Sequence, residues 1–127
     1  MTISPFLFAL ICLAGGLGSM LRAALTARLS RKLQAAVAIL IINATGSLLI
    51  GAAFGRLSEA GTVALPVGFS LLAIGLLGGF TTVSTFALQV LDLWQAGRRG
   101  FALQIALGSA LLCPALAGLG VAVARMV

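Results

Sequence analysis

The stretch AAVAILIINATGSLLIGAAFG, at positions 35–55, contains no charged side chain, and it decides the fold class of this chain. A transmembrane α-helix needs about 20 mostly apolar residues, because the hydrocarbon core of a bilayer is about 30 Å thick. Similar stretches lie at about 5–27, 65–91 and 101–124. The sequence therefore predicts an all-α protein, a single membrane domain over residues 1–127 with four transmembrane helices.

The overall composition also points to a membrane. Of the 127 residues, 61% are hydrophobic and only 8% are charged, whereas soluble domains carry about 25% charged residues. The net charge of +6 comes from bases near the ends of the predicted spans, where basic side chains contact lipid headgroups. We therefore expect the bilayer, and no nucleic acid, to be the partner of these bases.

The distribution of basic residues predicts an orientation. The loops after spans one and three share one side of the membrane, and the other side holds the loop after span two and the C-terminus. The first side has Arg28, Arg31, Lys32, Arg98 and Arg99, and the other has Arg56 and Arg125. Five bases against two favour both termini outside the cytoplasm, because basic loops tend to remain inside.

Acidic side chains are almost absent, and this excludes several functions. Glu59 and Asp92 are the only carboxylates, both lie in loops or at a helix end, and the chain has no histidine. Proton-coupled exporters need a carboxylate inside the membrane, and enzymes need a nucleophile with a base or an acid–base pair. The predicted spans instead hold hydroxyls, amides and one guanidinium, which are groups that suit an anion.

Two polar side chains inside the predicted spans each allow two interpretations. Arg22 in span one either extends its guanidinium to the headgroups or makes a positive vestibule that attracts anions. Asn43 lies near the middle of span two, where an unpaired amide is costly. It either hydrogen-bonds to another helix or directs a donor into a pore.

The segment from Gly78 to Phe86, GGFTTVSTF, is the strongest local signal. Adjacent glycines favour unwinding, and irregular backbone at membrane depth occurs only where it is buried in protein or lines a cavity. The segment therefore predicts a broken third helix, although close glycine-mediated packing of an intact helix is the alternative. Phe86 either faces lipid or core, or points the positive edge of its ring at an anion.

Three motifs, one in each of the first three spans, carry a family resemblance. They are Gly15-Gly16-Leu17-Gly18-Ser19-Met20-Leu21-Arg22, Asn43-Ala44-Thr45-Gly46-Ser47 and Gly78-Gly79-Phe80-Thr81-Thr82-Val83-Ser84-Thr85-Phe86. Together, in this order and over essentially the whole chain, they make the sequence resemble the CrcB/Fluc fluoride channel family.

The resemblance implies an assembly and an activity. Members of the family are antiparallel, dual-topology dimers in the cell (inner) membrane, with two pores to which both subunits contribute. Fluoride leaves the cytoplasm passively, which relieves fluoride toxicity. The implied fluoride path consists of Asn43, Val83, Ser84, Thr85 and Phe86, with Arg22 in a vestibule. The resemblance also implies a structural sodium ion at the dimer centre, held by the backbone carbonyls of Gly78 and Thr81.

This chain departs from the family pattern at three points. Val83 stands where the family usually has the first of two phenylalanines, Gln89 stands where a glutamate is common, and the tyrosine common in span four is absent. The subunit is then either a divergent homodimer, which we rank first by a small margin, or one half of a heteromer. The biased loop charges slightly favour a heteromer.

Two other functions are weaker alternatives. A small multidrug transporter matches the length and the span count, but it would need a buried glutamate in span one, and none exists. The second is a structural subunit that does not conduct, because Val83 impairs its pore, and that depends on a partner chain.

Overall fold

A computed structural model describes residues 4–57 and 67–126, and every regular element in these two ranges is helical. The helices are α1 (Pro5–Leu29), α2 (Ala35–Leu57), α3 (residues 67–80), α4 (Ser84–Gln95) and α5 (Arg99–Met126). Within α3 the segment Ser70–Leu77 is a π-helix, with short α-helical turns on both sides. Glu59 and the predicted start of span three near Leu65 lie outside the described residues.

Four helical stretches in the described ranges are long and apolar enough to cross a membrane. They are Pro5–Leu29, Ala35–Leu57, Val67–Gln95 and Arg99–Met126. The prediction of an all-α, multi-pass membrane protein is therefore confirmed. Most helix ends extend two to four residues beyond the predicted spans, because a helix continues through the headgroup region, where charged side chains are well solvated.

Local sequence signals account for several helix ends. α1 begins with Pro5 at its first turn, and the Ser4 hydroxyl accepts a hydrogen bond from the Leu7 N–H at 3.2 Å. This is the usual arrangement at a helix N-terminus. α4 ends at Gln95, and Gly97, two residues later, has a left-handed φ of 78°. Because glycine adopts this conformation without strain, the chain turns sharply into α5.

Glycines bring two pairs of helices into backbone contact. Gly18 and Gly15 of α1 lie directly against the backbone of α3, at Leu76 and Gly79, and Gly51 of α2 lies against Ala117 of α5. Small residues permit such close approach in membranes, where packing rather than the hydrophobic effect holds helices together. α1 therefore packs on α3, and α2 packs on α5.

α2 is the central helix of the bundle. Its buried side chains include Ala38, Ile39, Ile42 and Asn43, and it contacts α5, both halves of the third span and α1. By contrast, Gly18 is the only buried residue of α1. The polar group that α2 carries into the centre of the bundle, Asn43, is therefore positioned by the best-packed helix of the chain.

Candidate functional site: a hydrogen-bonded interruption of the third span

The third span is interrupted at residues 81–83. α3 ends at Phe80, Thr81 has extended backbone with φ −84° and ψ 154°, and α4 begins at Ser84. The Leu77 carbonyl accepts hydrogen bonds from both the backbone N–H and the hydroxyl of Thr81, at 3.0 and 3.1 Å. Thr81 thereby satisfies the last turn of α3, and the backbone that follows must find partners elsewhere.

Asn43 supplies those partners from α2. Its Nδ2 donates to the Thr82 carbonyl at 2.8 Å, and its Oδ1 accepts from the Thr82 N–H at 2.9 Å. Both backbone groups of Thr82 are thus paired with a single buried side chain, as buried backbone requires. The interhelical hydrogen bonding expected of Asn43 is present. Because an amide nitrogen carries two hydrogens, the bond to Thr82 leaves a second N–H that can donate.

Hydroxyl groups cluster at the start of α4. The Thr82 Oγ1 lies 3.3 Å from the hydroxyl oxygens of both Ser84 and Thr85. It also accepts from the Thr85 N–H at 3.3 Å, so it caps the new helix. The predicted hydroxyl track of Ser84 and Thr85 is therefore joined at the interruption by Thr82. The sequence does not indicate this contact of Thr82, because Thr85 is not the Glu or Gln that a capping box has at that position.

α1 contributes a second set of donors, which bond to the end of α3 just before the interruption. The Gly79 carbonyl accepts from the Ser19 hydroxyl at 3.2 Å and from Arg22 Nε at 3.4 Å. Arg22 is half-buried, and its Nε is directed inward to α3. The C-terminal end of a helix carries partial negative charge, so a guanidinium is favourable there. Ser19 belongs to the first motif, but the sequence does not indicate its contact with Gly79.

The remaining predicted residues lie along the start of α4. Val83 is 81% exposed at the interruption itself. Phe86 is half-buried and follows Val83 by three residues, a spacing that places both on one face of a helix. The structure therefore groups Asn43, Val83 and Phe86 with the hydroxyl cluster around one short segment of backbone.

The same segment offers backbone oxygens to a cation. The Thr82 N–H bonds to Asn43 and not to the carbonyl of Gly78, four residues earlier, where an uninterrupted helix would direct it. Gly78 is exposed, and Thr81 lies at the extended turn. No group of three or more His, Cys, Asp or Glu side chains occurs in the described ranges. The oxygen donors available to a cation at this segment are therefore carbonyl and hydroxyl groups.

Comparison with known proteins agrees with this architecture. Residues 9–121 match the family model described as "CrcB-like protein, Camphor Resistance (CrcB)". This chain belongs to that family. The matched range includes most of all four spans, so the interruption and the residues around it lie in the family's common domain.

Relatives of this CrcB-like protein cover much of its length. A protein of Thermus thermophilus is 43% identical over 115 residues, which cover 89% of this chain and 90% of the relative. One of Saccharophagus degradans is 34% identical over 110 residues, covering 86% and 82%. One of Coxiella burnetii is 43% identical over 93 residues, covering 72% and 74%. All three are named fluoride-specific ion channel FluC.

Proposed function

We propose that this CrcB-like protein is a passive, fluoride-selective channel through which fluoride leaves the cytoplasm, relieving fluoride toxicity. One observation carries the proposal: the interruption of the third span is surrounded by neutral donors, with the Asn43 amide at its centre. Irregular backbone at membrane depth is found where it is buried in protein or lines a cavity. Three relatives that carry the name of a fluoride channel support the same function.

In this proposal the fluoride path follows the residues around the interruption. Fluoride must exchange its strong hydration for protein groups, and hydroxyl and amide donors suit a small, hard anion. The second N–H of Asn43 and the hydroxyls of Ser84 and Thr85 provide such donors. Phe86 offers a polarised ring edge, and Arg22 increases the local anion concentration in a vestibule.

The charge inventory supports passive transport and no catalysis. Within the described ranges Asp92 is the one carboxylate, and it is exposed close to the end of α4. A proton-coupled multidrug transporter needs a carboxylate in the middle of the membrane, so that alternative is weaker. The family and its named channels also agree with the prediction that this chain is not an enzyme.

We further propose that two copies assemble as an antiparallel dimer in the inner membrane. Large apolar side chains are exposed along the outer helices, among them Leu13 (67%), Met20 (71%) and Leu111 (74%). Apolar surface of this extent is covered by lipid or by another chain. Gly18 is the one buried residue of α1, so the rest of this helix is available to a partner.

A structural sodium ion fits the oxygens at the interruption. The carbonyl of Gly78 has lost its usual helical partner to Asn43, and Thr81 has extended backbone close to it. Carbonyl oxygens of broken membrane helices commonly bind cations. We propose that Gly78 and Thr81 of both subunits hold sodium at the dimer centre, where the ion would fix the two interruptions against each other.

A Val83→Phe variant tests whether a second ring edge speeds conduction by this chain alone. The comparison is with a wild-type homodimer that conducts with a valine at this exposed position. Val83→Phe adds a ring edge to the path. A contribution of about 0.5–1 kcal/mol to the barrier corresponds to about two- to five-fold faster fluoride release. The assay is fluoride efflux from liposomes, with Leu88→Phe on an exposed face of the same helix as the control. Unchanged release would place Val83 outside the limiting step, and slower release would contradict a favourable ring-edge contact at this position.

A growth experiment tests the function in a cell. In a bacterial strain without its own fluoride exporter, expression of this chain alone should restore growth in fluoride medium relative to an empty vector. Growth on chloride at the same ionic strength is the control. Failure to restore growth, with the protein present in the membrane, would favour the heteromer or the non-conducting subunit.

A further inference from the structure

A cavity of about 330 Å³ lies at the loop end of the bundle, between the start of α2 and the end of α4. Besides the first turn of α2, its lining includes Gln34, Gln89, Asp92, Leu93, Ala96 and Arg98. Since a water molecule takes about 30 Å³ in the liquid, the cavity has room for about ten waters. A small anion can therefore enter it with its hydration largely intact.

The turn between α4 and α5 positions Arg98 at this cavity. The Gly97 N–H bonds to the Trp94 carbonyl at 3.1 Å, and the Arg98 N–H bonds to the Leu93 carbonyl at 2.9 Å. This pair of bonds closes a helix that ends in a left-handed glycine. The Arg98 guanidinium then lies 4.9 Å from the centre of the Phe101 ring, a favourable cation–π contact. Arg98 is thus held at the cavity, with Asp92 in the last turn of α4.

The cavity continues the proposed fluoride path along α4. Gln89, which lines the cavity, follows Thr85 by four residues and Phe86 by three. Side chains at these spacings lie on one face of a helix. The face of α4 that carries Thr85 and Phe86 therefore leads to Gln89 and then to the cavity with its two charged groups.

We infer that this cavity is the aqueous mouth of the fluoride path, in which Arg98 raises and Asp92 lowers the local concentration of fluoride. The inference rests on the proposed channel function and adds the residues that set its entry rate. A cation at a mouth attracts anions, and a carboxylate repels them, over distances that depend on ionic strength. Because the mouth is wide and hydrated, these charges change the rate of entry and leave the selectivity unchanged.

The test measures fluoride efflux from liposomes that contain purified wild-type protein, Arg98→Gln or Asp92→Asn. At about 0.01 M ionic strength we expect Arg98→Gln to slow release, and Asp92→Asn to speed it, each by about two- to three-fold. At about 1 M of an impermeant salt both differences should vanish, since the screening length falls to about 3 Å. Arg98→Lys should keep the wild-type rate.

Arg99→Gln is the matched control. Arg99 is the next residue, its guanidinium lies 5.4 Å from the Trp94 ring, and it does not line the cavity. Release slowed by Arg98→Gln and not by Arg99→Gln supports the mouth, whereas equal effects of the two would reveal only general surface charge and contradict it. If the wild type conducts and the variants release fluoride at the wild-type rate, this inference is overturned and the channel function is left intact. Wild type without fluoride release would overturn the proposal that this chain conducts by itself.

Discussion

Replacing Asn43 by leucine is expected to lower fluoride release by about 30-fold or more and to destabilise the protein. Leucine has the same branching and the same number of side-chain heavy atoms, but it leaves the N–H and carbonyl of Thr82 without their partners at 2.9 and 2.8 Å. A buried backbone group without a partner costs about 1–3 kcal/mol of stability. Loss of a hydrogen bond to a charged ion costs about 1.5–3 kcal/mol, and a barrier raised by about 2 kcal/mol slows passage about 30-fold. The variant also removes the donor N–H that we assign to the fluoride path.

Thr45→Val is the control for this variant. Thr45 lies on the same helix, it is exposed, and its hydroxyl donates only to the Ile41 carbonyl of its own helix at 2.8 Å. The substitution keeps the shape and removes a hydroxyl that joins no other helix, so release should stay close to wild type. The comparison uses the fluoride efflux rates and the melting curves in detergent of both variants. An Asn43→Leu protein with wild-type release would contradict the role of the Asn43–Thr82 pair.

The second large effect concerns the packing of α1 on α3. A β-carbon at Gly18 would overlap the Leu76 carbonyl and lie 2.9 Å from the Phe80 backbone nitrogen. Since backbone atoms cannot move aside as a side-chain end can, Gly18→Ala must push the helices apart. Overpacking typically costs about 1–3 kcal/mol. The shift would also displace Ser19 and Arg22 from the Gly79 carbonyl, so both stability and fluoride release should fall.

Gly16→Ala provides a matched comparison two residues away. A β-carbon at Gly16 would meet no atom of another helix within 4 Å, and alanine is the better helix former by up to about 1 kcal/mol. Gly16→Ala should therefore leave the melting temperature unchanged or slightly higher, while Gly18→Ala lowers it. Equal melting temperatures for the two variants would show that the close approach of α1 to Leu76 does not contribute to stability.

The sequence predicts the number of helices well because their signal is local. Each span is a run of apolar residues long enough to cross a bilayer, as at 35–55. The ends are less well predicted. α1 continues to Leu29 and includes Arg28, and α5 begins at Arg99, because a basic residue ends the hydrocarbon-spanning part of a helix without ending the helix. The left-handed Gly97 is a stop signal that the sequence does contain.

The residues of the candidate site can be predicted from the sequence, but the hydrogen bonds between them cannot. The sequence singles out Asn43 and the segment from Gly78 to Phe86, since an unpaired amide is costly in a membrane helix and two glycines followed by two threonines favour a break. It does not indicate that Asn43 bonds to Thr82, 39 residues away, because that contact depends on the register of two packed helices. The bond of Arg22 to Gly79 depends in the same way on how closely α1 approaches α3.

Fluoride efflux from liposomes that contain only this purified chain tests the central claim most directly, with chloride efflux as the internal comparison. We expect fluoride to leave quickly down its gradient, with no imposed proton gradient and with little release of chloride. That result would establish a passive, self-sufficient channel in which Val83 is tolerated. Absence of fluoride release from a folded, dimeric protein would contradict the account.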